Sequence, residues 1–75
     1  MTLNTTKILA DPQLNVDTWN EQVAVGALVI YRDDHGKEHT TRTRSEAQVL
    51  GGHTAVVWIE GHAGCVALDR VTPVT

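Results

Sequence analysis

The chain has 75 residues, a formal net charge of −3 and a pI near 5.7. That length makes one domain with a small core, because a chain of this size buries only about 60% of its unfolded surface. Six Lys and Arg against nine Asp and Glu argue against general nucleic-acid binding, which depends on cations that neutralise phosphates.

Phe is absent, the aromatics are Trp19, Tyr31 and Trp58, and Val is abundant. β-Branched side chains fit a pleated surface and lose rotamer freedom in helices, so the composition leans toward sheet. The lone Cys65 has no partner for an internal disulfide and fits a reducing compartment. No apolar run reaches the length of a membrane span, and the N-terminus lacks the basic and long apolar regions of a signal peptide. The expectation is a soluble cytoplasmic protein.

Residues 1–18 read as a flexible segment or an added edge strand, and residues 19–75 as the folded domain. Asp11-Pro12 reads as a break, since proline disfavours helix in the residue before it. Asp17 or Thr18 is placed to cap one helical turn over Trp19–Gln22, with Glu21 at the capping-box spacing from Thr18. Val25–Arg32 then reads as a strand, Asp33-Asp34-His35-Gly36 as a hairpin turn and Lys37–Ser45 as the return strand. In that strand Thr41 and Thr43 fall on one face, Arg42 and Arg44 on the other. Ala47–Leu50 continues inward to the Gly51-Gly52 bend, and His53–Glu60 is the clearest strand. Gly61–Gly64 turns the chain into Cys65–Leu68, and a 3-10 turn over Asp69–Val71 precedes a last short strand.

About five short strands joined by tight turns are the layout of a mostly β fold, a small SH3-like antiparallel barrel. It would carry a short N-terminal helical turn and a short 3-10 turn near the C-terminus. An open antiparallel sheet with a packed N-terminal helix is the competing architecture.

Three constellations invite chemistry. His35 and His39 are four apart and His62 precedes Cys65 by three, yet zinc wants four converging ligands and a strand turns alternate side chains to opposite faces. Cys65 with His53 or His62 suggests a dyad, but there is little helix to supply an oxyanion hole, and a thiol opening an apolar strand packs as a small hydrophobe. Arg42, Arg44 and Ser45, followed by Gly51, Gly52, His53 and Thr54, are the residue types that grip a phosphate-bearing ligand, through guanidinium forks and exposed backbone N–H groups. Tyr31 or Trp58 would be available to stack on a base. The plain alternative is a solvated strand whose arginines pair with Asp33, Asp34 or Glu46, next to a bend that needs glycine for its own geometry. Trp58 suits a core, whereas Trp19, in a polar stretch, is either a plug on one end of the barrel or part of an interface. Neither a cofactor nor a metal is expected, and the chain reads as a binder rather than an enzyme.

The stretches Thr41–Ser45, Leu50–Thr54 and Val56–Gly61, with Val25-Gly26 before them, resemble small uncharacterised accessory proteins encoded by bacteriophages and prophages. The resemblance covers roughly Trp19–Val74. It implies a non-enzymatic protein that binds and blocks a host protein; Trp19 and Tyr31 are the candidate interface aromatics read from the residues themselves. The alternative is a sponge for a nucleotide-type anion, an anti-defence role, whose site would form between subunits of an oligomer because one small barrel leaves little room for a pocket. Two departures stand out: Cys65 occupies a position where another glycine is expected, and the acidic Asp33-Asp34 turn would repel an anion if it folds over the arginine face.

Overall fold

The computed structural model describes residues 11–74. The expectation for residues 1–10, a flexible segment or an edge strand, lies outside the described residues.

The described residues open with a helix, α1 (Pro12–Gln22), where a single turn was expected. Asp11-Pro12 starts this helix instead of breaking the chain. Asp11 is the N-cap, its carboxylate accepting the Gln13 N–H at 3.0 Å, and Pro12 takes the first helical position, where a missing N–H costs nothing. Val16, Trp19 and Val23 follow at three- and four-residue spacing, so one narrow stripe faces the sheets; Val16 and Val23 are buried and Trp19 packs against the core. The helix runs through the boundary expected at residues 18 and 19, so the described part of the leading segment belongs to the fold.

Six strands follow: β1 (Leu28–Arg32), β2 (Glu38–Arg42), β3 (Gln48–Leu50), β4 (Thr54–Trp58), β5 (Cys65–Ala67) and β6 (Val71–Pro73). They form two antiparallel three-stranded sheets, ordered β2-β1-β6 and β3-β4-β5. The closed barrel expected from the strand count is therefore not formed. β5 and β6 are joined through a 3-10 turn (Leu68–Arg70) and pair with β4 and β1 rather than with each other. The three residues of that turn carry the chain from one sheet to the other.

The sheets meet at one corner. Thr43 bridges Ile59, Glu60 N–H donates to the Arg42 carbonyl at 2.9 Å and Arg44 N–H donates to the Trp58 carbonyl at 2.9 Å. Residues 38–50 are thus one long bent path that pairs first with β1 and then with β4, with Ser45–Ala47 as the bend. Thr43 sits at the corner with 2% exposure, and its hydroxyl accepts from Gly26 N–H at 3.0 Å and donates to the Ala24 carbonyl at 3.3 Å. A buried hydroxyl with two partners carries no desolvation debt. Around it lie Val29, Val57, Ile59, Val66, Leu68 and Val71, the small aliphatic core that a Phe-free sequence supplies.

The hairpin turns at Asp33–Gly36 and Gly51-Gly52 form where the sequence placed them, as does the third, Gly61–Gly64, which joins β4 to β5. Asp33 organises the first: its carboxylate accepts from the N–H groups of His35 and Lys37 at 2.9 and 3.0 Å and contacts His39 Nε2 at 2.8 Å. The second, between β3 and β4, has Gly51 and Gly52 at φ +62° and +78°, with His53 N–H returning to the Leu50 carbonyl at 3.2 Å. Two successive positive φ values are the mark of a type I′ turn, which glycine adopts without strain.

Candidate functional site: an apolar groove beside the helix

The residues singled out for a phosphate site do not share one place. Arg44 and Ser45 stand beside the C-terminal end of β4, and Gly51 and Gly52 lie beyond its N-terminal end. Four steps along a strand at about 3.3 Å each separate those ends by about 13 Å. The two guanidiniums are held by backbone carbonyls. Arg42 donates to the Gly26 carbonyl at 2.9 Å. Arg44 donates through Nε to Ile59 at 3.0 Å and through Nη2 to His62 and Ala63 at 2.9 and 3.2 Å. Arg44 is thereby the clamp on the turn between β4 and β5. Neither arginine meets a carboxylate among the described residues; Asp34 takes Arg70 at 3.1 Å, and Asp33 takes His39. The Ser45 hydroxyl turns to the Glu46 carbonyl at 3.1 Å.

Tyr31 is buried. Its ring stacks on His39 with centroids 6.1 Å apart and receives the edge of His62 at 4.9 Å, so it packs the hairpin rather than presenting a face to a ligand. Asp33 beside it is acidified to a pKa of about 2, first because the His39 ring hydrogen-bonds its carboxylate and then because of the Lys37 and His35 N–H groups. Among the described residues no group of three or more His, Cys, Asp or Glu is arranged to hold a metal ion. Cys65, half-buried, pairs with Trp58 across β4 and β5.

Three of the singled-out residues do come together. Trp19, His53 and Thr54 line a groove of about 660 Å³ between α1 and the β3-β4-β5 sheet. Its apolar walls include Leu14, Val23, Ala55, Ala67 and Leu68, with Gln22 and Asp69 at polar positions. The volume lies within the range of about 300–1,000 Å³ that ligand sites occupy. Leu14 is 39% exposed, enough for an aliphatic side chain to meet a partner. Trp19 packs against the core and lines the groove.

Besides the packing of Val16, Trp19 and Val23, one side-chain amide ties the helix to the sheet. Asn20 Oδ1 accepts from Ala47 N–H at 2.9 Å and its Nδ2 donates to the Ala47 carbonyl at 3.1 Å. This pair imitates a strand rung and ties α1 to the bend before β3, fixing how far the helix stands from the sheet. Leu14, Asn20 and Leu68 escaped the sequence reading because their importance follows from the helix, which was read as too short. The capping signal, Asp11 followed by Pro12, was present and could have found it.

No described helix is long and apolar enough to cross a membrane. Compared with known proteins, the chain matches no family model, no curated protein and no solved structure.

Proposed function

We propose that the chain is a non-enzymatic binding module that takes an apolar segment of a partner protein into the groove beside α1. The observation that carries this reading is the groove itself: an open hollow with aliphatic walls, a half-buried Trp19 and polar side chains, Gln22, His53 and Asp69 among them, that can orient what enters. An aromatic ring on a rigid element is the usual anchor of a protein contact. The scaffold reads as an SH3-like barrel left open between β5 and β6; supporting this are the single bent path over residues 38–50, the 3-10 turn before the last strand and the return of β6 to β1. On the resemblance to phage accessory proteins, the partner would be a host protein that the module blocks.

A site for a nucleotide-type anion, the alternative from the sequence, rests on Arg42 and Arg44, whose charges no described carboxylate neutralises. Their donors are engaged by carbonyls, so an anion would have to reach the remaining N–H groups from outside, with a second copy completing the site.

A photo-crosslinking residue placed at Leu14, on the groove, and separately at Lys37, in the opposite hairpin, distinguishes these readings. Crosslinking of one protein species at position 14 and not at 37 is the expected result. Equal yields at both positions, or none at 14, overturn the groove as the working surface.

A further inference from the structure

Charge is distributed unevenly over the described surface. Asp17 and Glu21 project from α1, which carries no Lys or Arg, and Asp69 stands on the far side of the groove. None of these three carboxylates forms an ion pair among the described residues. The described cations lie elsewhere: Arg32, Lys37, Arg42 and Arg44 on the β1-β2 hairpin and the sheet corner, and Arg70 turned toward Asp34 at 3.1 Å. Among the described residues the groove lining contains Asp69 and His53 but no Lys or Arg.

From this we infer that the groove selects a partner segment that is both apolar and cationic, one carrying Lys or Arg between its aliphatic side chains. The inference rests on the groove being the docking surface and adds what enters it. The aliphatic side chains of the segment bury against Leu14, Ala55 and Leu68. A Lys or Arg on the segment meets the Asp69 carboxylate, and the face of Trp19 in the same groove offers the negative quadrupole that cations favour. Asp17 and Glu21 lie outside the groove lining and act only through the longer-range field, raising the rate of encounter more than the strength of the complex. An anionic ligand has the opposite prospect here, since among the described lining residues it would meet the Asp69 carboxylate and no Lys or Arg.

The test uses the full chain, labelled with nitrogen-15, and two peptides of equal length, one of alternating Leu and Lys and one of alternating Leu and Glu. The Leu/Lys peptide is expected to shift the backbone amides of residues 14–23, 53–55 and 67–69, and to bind at least about tenfold more tightly than the Leu/Glu peptide. Asp69→Asn is expected to weaken the Leu/Lys complex by about two- to fivefold, and Asp17→Asn with Glu21→Gln to slow association and flatten its salt dependence. Equal binding of both peptides at the same amides overturns the charge selection while leaving the docking surface intact. Failure of both peptides to move those amides overturns the docking surface itself. Two further results assign the groove to another occupant and overturn the inference. One is a concentration-dependent dimer whose dissociation moves the same amides. The other is peptide binding that appears only after Ile8 and Leu9 are both replaced by Ser.

Discussion

Replacing Asn20 by Ala removes the amide that joins α1 to the bend before β3. Two hydrogen bonds, at 2.9 and 3.1 Å, are lost, and both the N–H and the carbonyl of Ala47 are left without their partner. Ala47 is 3% exposed, so water reaches those groups poorly and the vacancy is costly. A neutral hydrogen bond contributes about 0.5–1.5 kcal/mol net, so the pair is worth about 1–3 kcal/mol. With about 2 kcal/mol as the central value and about 4–8 °C of Tm per kcal/mol for a chain of this size, the midpoint falls by about 8–16 °C. Thermal unfolding followed by circular dichroism at neutral pH measures this, with the exposed Gln22→Ala as the matched helix control. Hydrogen exchange adds a local readout, since the Ala47 amide is expected to lose most of its protection. An N20A chain that melts within about 2 °C of the wild type, with Ala47 still protected, would refute the account of how the helix is held.

Arg44→Lys should not substitute for Arg44, because one ammonium cannot span the carbonyls of Ile59, His62 and Ala63; faster amide exchange through residues 61–64 in both R44K and R44A, with a loss of about 1–2 kcal/mol in urea unfolding, checks it. Gly52→Ala should cost about 1–2 kcal/mol through its φ of +78° alone, since no atom stands within 4 Å of the added Cβ, and Gly52→Asn should recover part of that loss. Asp33 gives a pH dependence. Its folded-state pKa of about 2 lies below the ordinary 3.8, so its stabilising effect is present above about pH 4 and is lost as the pH falls through 2. Urea midpoints measured between pH 6 and pH 2 should fall less steeply for Asp33→Asn than for the wild type.

Much of the β framework was legible along the chain, because its signals are local. The Asp33–Gly36 and Gly51-Gly52 turns carry their own geometry, and the strand alternation at Thr41, Arg42, Thr43 and Arg44 dictates which side chains face inward whatever the sheets do next. The arginine–glycine site was not decided that way. Arg44 and Gly52 are eight residues apart in sequence, but the antiparallel return of β4 places them at opposite ends of one strand.

What the sequence by itself determined is a small, Val-rich, antiparallel β protein with three tight hairpin turns and a 3-10 turn before the last strand. Each of these follows from residue type and spacing over a few positions. Tertiary structure alone decided that the sheets stay open, that the arginines clamp carbonyls, and that Trp19 meets His53, Thr54 and Leu68 across a groove. These depend on contacts such as Asn20 with Ala47, 27 residues apart. No local pattern encodes such a contact, because its partner is a backbone group, and backbone groups look alike at every position in a sequence.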